Sequence, residues 1–365
     1  MLLMLATPSM NAKAYMTQPT YTATRNPIGA GSSIGSYRIV KQIGSGGMGK
    51  VFEATHSMLA RRVAIKLLLP ELAAVPAMSS RMAQEAAILD GLRHPGIVRI
   101  FDCGLLEDGR PWIAMELVNG ESLSAKLDGR TRLSSAEVVT LLTHLADVLM
   151  TAHAHGIIHR DLKPDNILYA DHDRVYPLRV IDWGVARHGQ MQRITLEGTT
   201  FGTPSYMSPE QIRGQDIAPT SDIYSLGVIA YEALVGHRPF ADDTLAMVVL
   251  STLHDTELPL APQCPAAPPS LCELIHRMLQ KDPGTRPTAS EVAACLREIT
   301  AEIAESATEF ESYDLATNED SVPAVDPSDA PSERAVTCAG RVPGAPRQST
   351  AGTSCASESK RSSER

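Results

Sequence analysis

The chain has 365 residues, 43% of them hydrophobic, which is enough to bury one large core or two modest ones. A formal net charge of −9 speaks against a nucleic-acid surface. No window approaches the roughly 18 apolar residues of a membrane helix. The apolar start lacks a secretory signal's basic flank, and Cys103, Cys264, Cys272, Cys295, Cys338 and Cys355 form no CxxC pair, so a reducing cytoplasm is expected.

Residues 1–36 are rich in Thr, Ser, Asn, Pro and Gly without a sustained period, and predict a disordered leader. From Tyr37 to Ile43 apolar and polar residues alternate as in a half-buried strand. The strand ends in Ile43-Gly44-Ser45-Gly46-Gly47-Met48-Gly49-Lys50-Val51. A glycine pattern of this kind serves either a dinucleotide turn, which runs into a helix, or a hairpin folded over phosphates. Val51-Phe52-Glu53-Ala54 reads as another strand, so the phosphate hairpin is preferred over the turn; a plain flexible hairpin is the bland alternative.

Arg62–Leu68 is a further strand. Period-two alternation puts Ala64 and Lys66 on one face and Val63 and Ile65 on the other, so one face offers a small residue and an amine together. Arg81–Leu92 reads as a helix with Met82, Ala86 and Leu89 on one stripe. Glu85 lies off that stripe, where a solvated charge is the ordinary reading. His94-Pro95 breaks the chain, Ile97–Cys103 is strand-like, and Glu107-Asp108-Gly109-Arg110 is a hairpin turn into Trp112–Val118.

The next helix carries its own punctuation. Ser134 and Glu137 form a capping box, Leu133 and Val138 a hydrophobic staple. Leu141, Leu142, Leu145, Val148, Leu149 and Ala152 then recur at helical spacing, so this is a core helix. His153 and His155 close it, and the helix C-terminus or plain exposure explains them better than a metal would.

His159-Arg160-Asp161-Leu162-Lys163-Pro164-Asp165-Asn166 follows, answered by Asp182-Trp183-Gly184 after a short strand over Leu178–Ile181. Pro164 and its polar neighbours forbid a helix and hold these groups on a rigid turn. Asp161 can accept a hydroxyl proton. Asn166 and Asp182 offer hard oxygens of the kind Mg²⁺ takes beside phosphates, and Lys163 can neutralise charge on a transferred group. A polar loop whose Asp and Asn make turn hydrogen bonds would account for any two of these residues. It does not account for the whole run together with the glycine hairpin and the strand lysine.

This run resembles the catalytic and metal loops of eukaryotic-like (Hanks-type) bacterial serine/threonine protein kinases, and the resemblance extends over about Tyr37 to Ile299. It implies an α+β bilobal protein-kinase-like fold, a small β-rich N-lobe over residues 37–117 and a larger α-helical C-lobe over 118–299, and it leaves 300–365 uncovered, a stretch whose composition predicts a disordered tail. It implies ATP and Mg²⁺, with Mn²⁺ as an alternative ion. By resemblance the loop from Ile43 through Gly44, Ser45, Gly46, Gly47, Met48, Gly49 and Lys50 to Val51 covers the nucleotide, with Ala64 beside the base. Lys66 matches the strand lysine that Glu85 orients. Adenine would bind the backbone at Glu116 and Val118, with Met115 limiting access behind it. Asp161, Lys163 and Asn166 take the catalytic places, and Asn166 and Asp182 the metal places. Lys163, two residues after Asp161, favours a Ser or Thr acceptor.

The resemblance further implies an apolar spine of Leu89, Ile100, His159 and Trp183 tied down by Asp222, and a buried pair between Glu210 and Arg286. Trp183 stands where the family usually has Phe, and its N–H wants a partner when buried. The activation segment runs to Ser208-Pro209-Glu210, where many relatives have Ala-Pro-Glu. Thr195, Thr199 and Thr200 are its candidate phosphosites, where a phosphate could pair with Arg160. A nucleotide-binding pseudokinase is the rival that Trp183 raises. A small-molecule phosphotransferase is disfavoured by the presence of the activation segment.

Past about Glu302 the composition turns to Ser, Pro, Asp, Glu and Ala, acidic first and basic after Arg334, which cannot bury a core. The partners expected are protein substrates and a second kinase copy or an upstream regulator, with no nucleic acid and no membrane span.

Overall fold

Period-two alternation in the first part of the chain becomes an antiparallel sheet. The computed structural model describes residues 28–129, 132–170, 173–183, 204–240 and 244–319. Among these, β1 (Ser33–Ile34), β2 (Tyr37–Ser45), β3 (Gly49–His56), β4 (Arg62–Leu68), β5 (Ile100–Leu105) and β6 (Pro111–Glu116) lie in the order β1-β2-β3-β4-β6-β5. Every neighbouring pair is antiparallel. Consecutive strands joined by tight hairpins pair first. The departure from chain order arises because α1 (Pro70–Ala73) and α2 (Pro76–Gly91) carry the chain across the sheet before the β5–β6 hairpin returns β6 to the side of β4. Order begins before Tyr37, since Ile34 is fully buried. Helix α2 starts at Pro76, five residues before the expected Arg81, with proline at a first-turn position where its missing N–H costs nothing.

The expected two faces of β4 pack into different clusters. Val63, Ile65 and Leu67 join Phe52, Trp112 and Ala114 on one side. On the other, Met82 and Ala86 of α2 close over Leu68 and Ile113, and Ala64 joins Met115 and Val98. Burying each of the larger of these side chains stabilises the fold by about 1.5–3 kcal/mol, so the sheet and α2 are held as one body. Gly49 is required by space: a Cβ there would run into the Leu67 carbonyl of the neighbouring strand.

The second part is helical: α3 (Leu123–Asp128), α4 (Ser135–Ala154), α5 (Pro209–Arg213), α6 (Pro219–Val235), α7 (Leu245–His254), α8 (Pro269–Met278) and α9 (Ala289–Glu319), with a small β7 (Ile167–Tyr169) and β8 (Leu178–Val180) hairpin. The box that starts α4 is complete. The Ser134 amide donates to Glu137 Oε2 at 2.9 Å and the Glu137 amide to Ser134 Oγ at 3.2 Å, a cap worth about 1 kcal/mol. Leu133 and Val138 are both buried beside it. Helix α6 is largely apolar and is buried from Ser221 to Tyr231 and again from Ala233 to Val235.

One sequence expectation is corrected here. Ser135–Ala154 is 20 residues with a mean hydropathy of 1.2, long and apolar enough to cross a membrane by those measures. Half of that window is buried inside the fold, where Leu142, Leu145, Ala146 and Val148 pack in the main helical core. Apolarity of this degree suits a central core helix as well as lipid.

The chain divides into two units, Met1–Glu311 and Ser312–Arg365. Of the second, the described residues are the final turns of α9, which continues beyond Ile299 into the stretch expected as tail. Cys103, Cys264, Cys272 and Cys295 are free thiols.

Candidate active site

The turn after α4 is held from below by one carboxylate. Asp222, 1% exposed near the start of α6, accepts the amides of His159 at 2.8 Å and Arg160 at 2.9 Å, and His153 Nε2 at 3.0 Å. The tie is needed, because Arg160 has a φ of 66°, a left-handed conformation that costs a residue with a Cβ about 1–3 kcal/mol. A second tie comes from Gln211 Nε2, which donates to the Arg160 carbonyl at 2.8 Å. His159 Nε2 bonds the Ile181 carbonyl at 3.1 Å while its Nδ1 accepts the Asp161 amide at 3.3 Å. Burial lowers the His159 pKa, so the ring is a neutral spacer with its proton on Nε2.

The groups so fixed converge. Asn166, on a single 3-10 turn over Pro164–Asn166, donates from Nδ2 to the Asp161 carbonyl at 2.8 Å and to Asp161 Oδ2 at 3.3 Å. With the amide nitrogen so used, the amide oxygen is the atom Asn166 can offer a ligand. Lys163 Nζ lies 3.7 Å from Asp161 Oδ2. The β7–β8 hairpin delivers Asp182, which among the described residues is the other non-glycine residue with positive φ, at 54°.

Across the cleft, Lys66 of β4 reaches Asp182 Oδ1 at 2.9 Å and Glu85 Oε1 of α2 at 3.4 Å. Burial works against the lysine's charge, yet Asp182 first and Glu85 second outweigh it and raise its pKa. Asp182 is lowered, chiefly by Lys66. Glu85 goes the other way: burial raises it more than Lys66 lowers it. The ammonium therefore belongs mainly to Asp182, with Glu85 as the looser support.

Above these charges is an apolar slot. Ala64, Val98 and Met115 form a buried cluster against which Val51, Leu117, Val118 and Ile181 pack. The hairpin from Ser45 to Gly49 leads into Val51 of that group and is closed by the Gly46 amide donating to the Gly49 carbonyl at 2.9 Å, while Ile43, Gly47 and Lys50 are exposed. No helix follows the glycines. Glu116 ends β6 with its amide already donated to the Arg99 carbonyl at 2.9 Å.

The expected spine is assembled. Leu89 and Trp183 share the main core with Ile100 packed on it, and the His159 and Trp183 rings lie 4.8 Å apart. The Glu210–Arg286 pair is formed at 2.7 and 2.8 Å. Gly184, Thr195, Thr199 and Thr200 lie outside the described residues.

Three positioning side chains escaped the sequence reading. His153 was read as a helix-end or exposed residue; it is 11% exposed at its side chain and bound to Asp222. Gln211 carried a signal in its spacing from Ser208, a capping box opening α5. Arg179 had no local signal; it ties Glu116 to Asp173.

The donor set fits a magnesium nucleotide. Among the described residues no three His, Cys, Asp or Glu side chains converge as a metal cage. A divalent ion would rest on Asn166, Asp182 and ligand phosphates, the sharing that Mg²⁺ favours.

Comparison with known proteins agrees with this geometry. The protein kinase domain family matches residues 37–295. The chain is similar to the serine/threonine-protein kinase PknA of Mycobacterium tuberculosis, 40% identical over 269 residues that make up 71% of this chain and 61% of that protein. It is also similar to the serine/threonine-protein kinase Pkn1 of Myxococcus xanthus, 38% identical over 260 residues, 70% of this chain and 37% of that one. The chain thus spans less than two thirds of the length of these relatives. A crystal structure of the Mycobacterium tuberculosis PknI kinase domain superposes with a TM-score of 0.59 at 26% identity, covering 75% of this chain and 100% of that one.

Proposed function

Because the chain belongs to the protein kinase family, we propose that it transfers the γ-phosphoryl group of ATP to serine or threonine hydroxyls of protein substrates. The observation that carries this is the convergence of Lys66, Glu85 and Asp182 at 2.9 and 3.4 Å, facing the Asp161–Lys163–Asn166 turn. Such transfer needs little covalent chemistry from the protein and much positioning.

Lys66 holds the nucleotide phosphates and Glu85 holds Lys66. Asp161 accepts the proton of the attacking hydroxyl, and Lys163 offsets the charge gathering on the transferred group. Asn166 and Asp182 hold Mg²⁺, or Mn²⁺ on the same oxygens, and that ion supplies charge neutralisation between the phosphates. The loop from Gly44 to Val51 covers those phosphates, Ala64 packs on the base, and backbone groups of Glu116 and Val118 pair with adenine. Lys163 supports a serine or threonine acceptor. The proposed kinase domain is residues 37–299, its lobes meeting at about residues 117–118, between a leader and a tail. Thr195, Thr199 and Thr200 are proposed autophosphorylation sites that would order their segment through Arg160. Free thiols support a cytoplasmic setting, and a second copy or an upstream regulator is the proposed input.

Incubation of the purified protein with labelled ATP, Mg²⁺ and a generic protein acceptor tests the reading. Incorporation on serine or threonine is expected, and Asp161→Asn is expected to lower its rate by about 10²–10⁴-fold. Nucleotide binding without transfer to any acceptor would make the chain a pseudokinase instead.

A further inference from the structure

We propose that Arg179 is a positioning residue for ATP, clamping the hinge carboxylate of Glu116 to the strand that delivers Asp182. This deepens the kinase reading and rests on it. Arg179 lies in β8, three residues before Asp182, and is 7% exposed. Its Nε donates to Glu116 Oε1 at 3.1 Å and Nη2 to Asp173 Oδ2 at 2.9 Å. Nη1 donates to the carbonyls of Tyr176 at 2.7 Å and Leu178 at 3.0 Å. One planar fork thus joins the end of β6 in the small lobe to the hairpin that carries the metal-side carboxylate in the large lobe.

Glu116 is held at its other oxygen as well, where Oε2 accepts the Arg99 amide at 3.3 Å. Its backbone pairs with Val63 of β4, one residue before Ala64 and three before Lys66. The hinge segment that offers its backbone to adenine therefore takes its position from a side chain facing away from the nucleotide.

Two features make the clamp consequential. Asp173 is pulled down to about 2, first by the Tyr176 amide and then by Arg179, so it stays ionised at any working pH. Without the guanidinium, among the described residues Glu116 would keep only the Arg99 amide and Asp173 only the amides of Val175 and Tyr176, and nothing would join the two carboxylates. Behind them lies a cavity of about 830 Å³ lined by Leu89, Arg93, Ile97, Phe101, Glu116 and Arg179. Glu116 has room to swing into it, and the hinge would follow. Lysine cannot replace the fork, since a point charge on a flexible stem cannot span both carboxylates in one plane.

The test compares wild type with Arg179→Met, Arg179→Lys, Glu116→Gln and the Arg179→Met/Glu116→Gln pair. Thermal melting reports folding, calorimetric titration of an ATP analogue gives its Kd, and steady-state transfer gives KM and kcat. Arg179→Met is expected to raise Kd and KM for ATP by about tenfold with kcat within about twofold, and Arg179→Lys to recover part of it. The double variant should bind ATP no more weakly than Arg179→Met alone, because both substitutions act on the same contact. Should Arg179→Met not fold, Glu116→Gln carries the test with a smaller rise in Kd. Unchanged Kd in these folded variants, a fall in kcat at constant KM, or independent effects in the pair would overturn the clamp. Absence of transfer by wild type sinks the kinase reading instead, while Kd still decides the clamp.

Discussion

Trp183 shows how far one side chain can be read. The aromatic place was legible, and so was the demand of its N–H. The ring is fully buried against His159, and its Nε1 finds no hydrogen-bond partner among the described residues. A buried orphan donor costs about 1–3 kcal/mol. Phenylalanine would remove that cost but leave a void of a few tens of Å³, itself costing about 1 kcal/mol. The two effects nearly cancel. Trp183→Phe is expected to stay within about 1 kcal/mol of wild type in urea unfolding and to retain phosphoryl transfer, whereas Trp183→Ala should lose about 3–5 kcal/mol. A loss above about 2 kcal/mol for the phenylalanine variant would mean that the indole N–H is satisfied and the ring's full size required. Arg160, by contrast, gave no hint in the sequence of its positive φ. Nothing in the side chain asks for it; the surrounding bonds impose it.

At the scale of elements, α4 was readable because its cap, staple and apolar period are all local, each set by residues within one or two turns. Its end was misread at His153, since a partner 69 residues away in α6 is not a local fact. The connection between α8 and α9 makes a prediction of the same kind. Lys281 there donates to the Thr252 carbonyl of α7 at 2.8 Å and stands 3.9 Å over the Phe240 ring. Burial pushes its pKa down to about 8, against the pull of Glu257 and Asp255, with Arg286 and Arg213 adding to the fall. Between about 8 and the ordinary 10.5 the unfolded chain holds a proton that the folded one has released. Unfolding free energy contributed by this group therefore rises with pH through that window. Relative to wild type, Lys281→Met is expected to lose stability as the pH of urea unfolding is raised from about 7.5 to 10. A constant difference would show that the aromatic ring keeps the ammonium charged.

At the scale of the molecule, the helical lobe is pinned by Arg286. All of its donors are used: Nε on the Gln280 carbonyl, Nη1 on Glu210 and the Thr220 carbonyl, Nη2 on Glu210 and the Lys281 carbonyl. Its side chain is 0% exposed and that of Glu210 3%. Glu210 is nevertheless held below its ordinary pKa, because the bonds from Arg286 and Ser221 outweigh burial. Arg286→Met would leave that carboxylate buried without its cation, a loss of about 3–5 kcal/mol in urea unfolding. A loss below about 1 kcal/mol would show that water reaches Glu210 once the arginine is gone.

What the sequence determined by itself was the inventory and the local frame: which strands and helices form, which faces are apolar, and which carboxylates, amides and amines carry phosphoryl chemistry. Those follow from periods, caps and spacings within a few residues. The tertiary structure alone decided which partners the charges take. Lys66 favours Asp182, 116 residues away, over Glu85; Asp222 gathers His153, His159 and Arg160; Arg179 reaches the hinge. Each choice depends on burial and distance, and neither is defined until the elements have packed.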